Sequence, residues 1–137
     1  MQSVTVSRRV DAPPERVRAA MDDLERFMLA AGFTDVTVDG DEIHLENQVG
    51  LATVTLDLRV VETDAALAYE QADGFFEVMD TEYVVEPVDG GSEVTATTDF
   101  ALDVALVGQI LDATVIKRQR RSELNQQFDW LESEVAE

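Results

Sequence analysis

The 137-residue chain predicts an α+β domain in which a curved antiparallel sheet of about seven strands wraps around one long C-terminal helix, with two short helices after the first strand. Three observations carry this. Apolar and polar residues alternate through 2–10 and again through six successive segments up to residue 102. Helical spacing replaces that period only after the first strand and in the last third of the chain. Gly- and Asp-containing turns separate most of the alternating segments, so neighbours pair as hairpins. A length of this order fits one domain, residues 1–137, with one core.

The first strand, 2–10, carries Val4, Val6 and Val10 on one parity, and Asp11-Ala12-Pro13-Pro14-Glu15 stops it. Pro14 and Glu15 suit the first turn of a helix, where a missing N–H costs nothing and an acid meets the positive end of the dipole. Val17, Ala20, Met21, Leu24, Phe27, Met28 and Ala31 follow at helical spacing, as two short helices hinged near Asp22 and Asp23, until Gly32. Six strands are then expected at about 33–39, 42–49, 51–62, 66–73, 75–87 and 92–102. Asp39-Gly40 and Asp89-Gly90-Gly91 have the positive-φ chemistry of tight hairpins. From about Val104 to Val135 a stripe of Ile110, Thr114, Lys117, Arg121, Leu124, Phe128, Leu131 and Val135 marks the long helix, about 45 Å at 1.5 Å per residue. It is the one element long enough to cover the sheet, and strong sheet curvature would leave a space between the two.

Composition narrows the function classes. With 45% hydrophobic and 28% charged residues, the chain is neither disordered nor collagen-like, and no stretch approaches the roughly 20 apolar residues of a membrane span. Twenty-nine acids against ten bases give a net charge of −19, and Lys117 is the single lysine. Such a field repels nucleic acid and anionic lipid and opposes its own compact state unless salt screens it; at 1 M salt the Debye length is about 3 Å. The balance points to the cytoplasm of a halophile, archaeal in type, or alternatively to an acidic docking face for a cationic partner. The absence of cysteine excludes disulfides, thiol catalysis and thiolate metal sites. No phosphate-binding loop or metal-spaced carboxylate cluster is present, so no metal or cofactor is expected. The N-terminus lacks the apolar core of a signal peptide, and a cytoplasmic location is expected.

The segment Val10-Asp11-Ala12-Pro13-Pro14-Glu15-Arg16-Val17, the run Tyr83, Val85, Glu86, Pro87, Gly90-Gly91 and Val94, and Ile116 through Arg121 with Leu124, Phe128 and Leu131 occur in the order found in one superfamily. The chain resembles the SRPBCC or START-related helix-grip superfamily over nearly its whole length. That group includes lipid-transfer proteins, polyketide cyclases and relatives of the birch-pollen allergen. The resemblance implies a cavity for an apolar small molecule, with no universal catalytic residue to carry over. Arg18 stands where members often have an aromatic side chain.

Inward parity would line such a cavity with Leu45, Val54, Leu56, Leu58, Tyr69, Phe75, Met79, Tyr83, Ala96 and Phe100, with Ile110 and Thr114 contributed by the helix. The alternative is a solid core of the same residues. Asn47, Gln71, Glu77, Thr81 and Thr98 share that parity, and buried polar groups need partners or a ligand. An inward Glu77 would have a raised pKa or a cationic neighbour; a one-residue bulge would turn it to solvent. Arg8, Lys117 and Arg121 lie on apolar parities, either pointing inward or laying their stems along apolar surface with the charges in water. The basic run Lys117 to Arg121 is read as neutralising nearby carboxylates, Glu123 after Arg120 among them, rather than as a nucleic-acid patch. His44 should face solvent, which excludes a catalytic triad. Trp130 should pack on a sheet edge or a second subunit.

Three functions are compatible with these features. The first is a module, monomeric or weakly dimeric, that binds or carries a lipid, isoprenoid or polyketide-like molecule between sheet and helix. The second is a cyclase, aromatase or dehydratase in which Glu77 acts as acid or base and Tyr83 orients a carbonyl. The third is a partner-binding or chaperone-assisting module with Val115, Ile116 and Trp130 exposed.

Overall fold

A computed structural model describes residues 1–102 and 112–136. Strand β1 (Gln2–Val10) is followed by helices α1 (Pro14–Met21) and α2 (Leu24–Leu29). Six strands come next: β2 (Asp35–Asp39), β3 (Glu42–Val49), β4 (Ala52–Val60), β5 (Leu67–Gly74), β6 (Val78–Val88) and β7 (Gly91–Ala101). Helix α3 (Ala113–Val135) completes the described chain. All neighbours are antiparallel, in the order β1-β7-β6-β5-β4-β3-β2. The two short helices therefore carry the chain from one edge of an open sheet to the other.

The expected elements form for the expected reasons. Pro14 opens α1, with Glu15 in its first turn. The break at Asp22 and Asp23 separates α1 from α2. Gly40 and Gly90 take φ of 62° and 80° in their hairpins, a region that costs L side chains energy. Alternation is clearest in β7, where Ser92, Val94, Ala96, Thr98 and Phe100 are all buried. The core lies between this face and α3, which packs against β1, α1 and α2.

Two expectations change. The long helix is shorter as described: Asp112 is extended, and its side chain accepts the Val115 N–H at 3.0 Å as an N-cap, so the first described turn starts at Ala113. Twenty-three residues span about 35 Å. Ile110 and the rest of 103–111 lie outside the described residues. The strand expected from 75 starts at Val78, because Phe75 and Phe76 belong to a turn that Gln71 clamps, its amide bonding both the N–H and the C=O of Phe76 at 3.0 and 2.8 Å. A register shift between Asp57 and Leu58 opposite β5 accompanies that turn.

Candidate functional site

A cavity of about 50 Å³ lies between the sheet and α3. Its apolar walls are Leu45 and Val49 of β3, Val54, Leu56 and Leu58 of β4, Met79 of β6, Phe100 of β7 and Ile116 of α3, with Phe33 and Phe76 from connections. A usual ligand pocket has roughly 300–1,000 Å³. The space here is far smaller. Aromatic side chains account for much of the filling: the Phe76 ring stands 5.4 Å from that of Phe100 and 5.2 Å from that of Phe75.

One wall is polar. Asn47, Tyr69, Thr98, Gln119, Arg120 and Glu123 complete the lining, and Arg120 and Glu123 are only 8% and 4% exposed. Helical spacing places Ile116, Arg120, Glu123 and Gln127 on the sheet-facing side of α3. Arg120 donates from Nη1 to Glu123 Oε1 at 3.0 Å, from Nε to Thr98 Oγ1 at 2.9 Å and from Nη2 to the Tyr69 hydroxyl at 2.6 Å. Glu123 Oε2 accepts from Asn47 Nδ2 at 2.6 Å and Gln119 Nε2 at 3.2 Å. Behind this layer the Tyr83 hydroxyl donates to Gln127 Oε1 at 2.6 Å, and Gln127 Nε2 donates to the Phe27 carbonyl at 3.1 Å. Thr81 and Thr98 hydroxyls bond each other at 2.8 Å. Among the described residues no buried side-chain nitrogen or oxygen lacks a partner.

Charge follows from these contacts. Burial alone would favour neutral Arg120, yet Tyr69, Tyr83 and Glu123 around it hold its pKa above the ordinary value, so it stays a cation. Burial, with Tyr69 adding to it, pushes the Tyr83 phenol well up, so Tyr83 keeps its proton. The cluster is a buried ion pair enclosed by neutral hydrogen-bonding groups.

The sequence-derived candidates divide accordingly. Leu45, Asn47, Val54, Leu56, Leu58, Tyr69, Met79, Thr98 and Phe100 line the cavity. Thr81, Tyr83 and Ala96 are buried just behind the lining. Gln71 and Phe75 are corrections: the first is spent on its turn, and Phe76 takes the place expected of the second. Thr114 is exposed: α3 buries Leu124, Phe128, Leu131 and Val135 as expected, but in its first turns the buried side runs through Ile116, Arg120 and Glu123. For the same reason Lys117 is half-buried and Arg121 exposed, while Arg120 is the inward cation. Glu77 is exposed just before β6, so it and the fully buried Tyr83 do not converge.

The expected apolar patch does not form either. Ile116 is buried, and Trp130 is half-buried against the Phe27 ring at 6.1 Å, with the Arg26 guanidinium 5.3 Å above it. Arg8 lies over the Phe128 ring at 5.8 Å and pairs with Asp129, its charge at the rim. Arg120, Glu123, Gln119, Ile116, Phe33, Phe76 and Val49 line the cavity but were not among the ligand-binding candidates. The spacing Ile116-Arg120-Glu123-Gln127 leading into Leu124, Phe128 and Leu131 was the available signal.

On the opposite face His44 is exposed, its Nδ1 2.6 Å from Asp57 Oδ1 across the β3–β4 pair. That hydrogen bond is the main reason its pKa rises; partial burial opposes it, and the charges of Asp57, Glu46 and Asp35 reinforce it. A folded-state value above the unfolded one means that the stabilisation is complete below the unfolded pKa, about 6.5, and fades as pH rises through the folded pKa. NMR titration of the ring should give a midpoint above the ordinary value that falls back in Asp57→Asn; an unchanged midpoint in the variant would remove the assignment. Among the described residues no three His, Asp or Glu side chains are grouped to hold a metal ion, and no helix is long and apolar enough to cross a membrane.

Comparison with known proteins places this geometry. The sequence matches, over residues 1–136, the family described as "Polyketide cyclase / dehydrase and lipid transport". No curated protein matches it. Similar solved structures include a Thermus thermophilus protein at 18% identity and a TM-score of 0.77, covering 98% of this chain and 100% of that one. The Zhui aromatase/cyclase of a Streptomyces species is similar at 19% identity and a TM-score of 0.77, covering 98% and 96%. A START superfamily protein of Mycobacterium smegmatis is similar at 13% identity and a TM-score of 0.73, covering 97% and 96%. At these identities the likeness shows the fold.

Proposed function

From the premise that the chain belongs to the polyketide cyclase/dehydrase and lipid transport family, we propose that residues 1–137 form one domain that binds or carries a hydrophobic small molecule, such as a lipid, isoprenoid or polyketide-like compound, between the sheet and α3. The observation that carries this is the polar wall that Tyr69, Arg120 and Glu123 form with Asn47, Thr98 and Gln119 in a cavity whose other walls are apolar. Burying an ion pair costs several kcal/mol per ion in desolvation, and apolar residues of similar volume would make a core at least as stable. Polar groups kept at a cavity wall suit an occupant with a polar end. Admission of a whole guest requires the walls to part, since the space holds about 50 Å³.

The test is native mass spectrometry of protein purified in molar salt, with displacement of the neutral apolar dye N-phenyl-1-naphthylamine by extracted lipids. A bound, extractable molecule is expected. Protein that carries nothing and takes up no dye would overturn the proposal.

A second reading, an aromatase or cyclase, is supported by the likeness to the Zhui aromatase/cyclase and by the Tyr69 hydroxyl lying 2.6 Å from a guanidinium at the cavity wall. Tyr69 would then replace Glu77 as the proton-handling group. It differs from simple carriage in requiring turnover of a linear poly-β-ketone, which should disappear in Tyr69→Phe even at saturating substrate.

The setting we propose is a high-salt cytoplasm. Glu70, Asp80 and Asp99 stand side by side across β5, β6 and β7, and burial, then Asp99, Glu70 and Glu82, raise the Asp80 pKa. Like charges directly opposite destabilise a sheet, and salt relieves them. The melting temperature should rise by several degrees between dilute buffer and about 2 M KCl. Identical melting in both would remove the halophilic reading.

A further inference from the structure

The ligand's polar end follows from counting protons in the buried cluster, and the count rests on the reading above that the cavity holds an apolar molecule. Arg120 has five N–H groups. Nε is committed to Thr98 and Nη1 uses one proton on Glu123. Nη2 donates to Tyr69 at 2.6 Å and lies 3.4 Å from both the Thr81 and the Tyr83 oxygens. The second Nη1 proton has no partner among the described residues.

Tyr69 is in a matching position. Its oxygen accepts from Arg120, so its own proton must go elsewhere. Tyr83 gives its proton to Gln127, which leaves the Tyr83 oxygen, 3.4 Å away, as the recorded acceptor for Tyr69. That separation exceeds the 2.5–3.0 Å range of a good O–H···O bond. Tyr69 and Arg120 both line the cavity, and each has one under-used donor.

The cluster is already charge-balanced. Glu123 accepts from Arg120, Asn47 and Gln119 through its two oxygens and neutralises the guanidinium. A second carboxylate in the cavity would share that one cation with Glu123 at low dielectric, whereas a neutral acceptor would take the spare protons without adding charge.

We infer that the site selects an uncharged carbonyl-type oxygen, as in a ketone, quinone or ester, on an apolar body, with Tyr69 and Arg120 as its donors, and that it rejects ionised carboxylic acids. The same apolar body ending in a carboxylate is a poor ligand. A simple hydrocarbon binds, but without the gain from the two donors.

Three naphthalenes of similar size test this at neutral pH in molar KCl by displacement of N-phenyl-1-naphthylamine: 2-acetylnaphthalene, 2-ethylnaphthalene and 2-naphthoate. The ketone should bind about tenfold more tightly than the hydrocarbon, the gain expected of hydrogen bonds to otherwise under-used donors. The carboxylate should bind at least about tenfold more weakly than the ketone. In Tyr69→Phe the ketone should fall towards the hydrocarbon, whose affinity stays as in the wild type. Equal binding of ketone and hydrocarbon, or a carboxylate that matches the ketone, overturns the inference while binding of the hydrocarbon keeps the cavity reading. If neither the dye nor any naphthalene binds, both fall. The wild-type affinities decide the matter even should the variant fail to fold.

Discussion

Glu123→Ala is expected to destabilise the protein by about 3–5 kcal/mol, the cost of leaving a buried cation without its counter-charge. Arg120 is held on the inner side of α3 between Thr98, Tyr69 and Glu123, with no route to solvent that preserves these bonds. Deleting the carboxylate also strands the Asn47 and Gln119 amides that donate to it. Glu123→Gln keeps the shape but not the charge and should fall between the wild type and the alanine variant. Removing both charges at once, as Arg120→Met with Glu123→Leu, should recover most of the loss, because two apolar side chains of similar volume need no partners. Urea denaturation in molar KCl measures all four proteins. A single variant within about 1 kcal/mol of wild type, or a double variant no better than the single, would show that the pair is not buried as described. The double variant also separates stability from function, since it should fold and distinguish the ketone from the hydrocarbon less sharply, with Tyr69 as the one remaining donor.

Sheet and helix order were legible because their signals repeat. Val54, Leu56 and Leu58 alternate with Thr55 and Asp57, and no other element accommodates that period. The Pro14 helix start and the Gly40 and Gly90 hairpins depend on backbone chemistry that three or four neighbouring residues specify completely. The site was less legible, and α3 shows why. Its sheet-facing side carries Arg120, Glu123 and Gln127 among apolar residues, so a stripe that follows Leu124, Phe128 and Leu131 correctly, when extended back in steps of three and four, ran along Arg121, Lys117 and Thr114, one position away. Charges of opposite sign three residues apart read equally well as a solvated pair; only the tertiary partners Tyr69, Thr98 and Asn47, from three different strands, make burial tolerable. The Phe75–Phe76 turn failed for a related reason. Both aromatics suit a strand, and the clamp from Gln71 that turns the chain was itself counted as an inward polar position.

Val54→Phe should abolish ligand binding, weakening displacement of the dye by at least about 100-fold, while the fold survives. Val54 sits in the middle of the cavity wall, 5% exposed and opposite Asn47 in the β3–β4 register, so a larger side chain there grows into the space next to the Glu123 cluster. The space is about 50 Å³, and a phenyl ring in place of two methyl groups takes up most of it. Overpacking should cost about 1–3 kcal/mol, less than loss of the ion pair, so the variant remains folded for the binding measurement. Val54→Ala works in the opposite direction: it enlarges the cavity and should admit the dye more readily, at a stability cost of roughly 1–3 kcal/mol for the lost contacts. Opposite effects on binding from two variants that both reduce stability cannot come from stability. If Val54→Phe takes up dye like the wild type, the guest sits elsewhere, and the polar wall of Tyr69, Arg120 and Glu123 is a core network with no part in recognition.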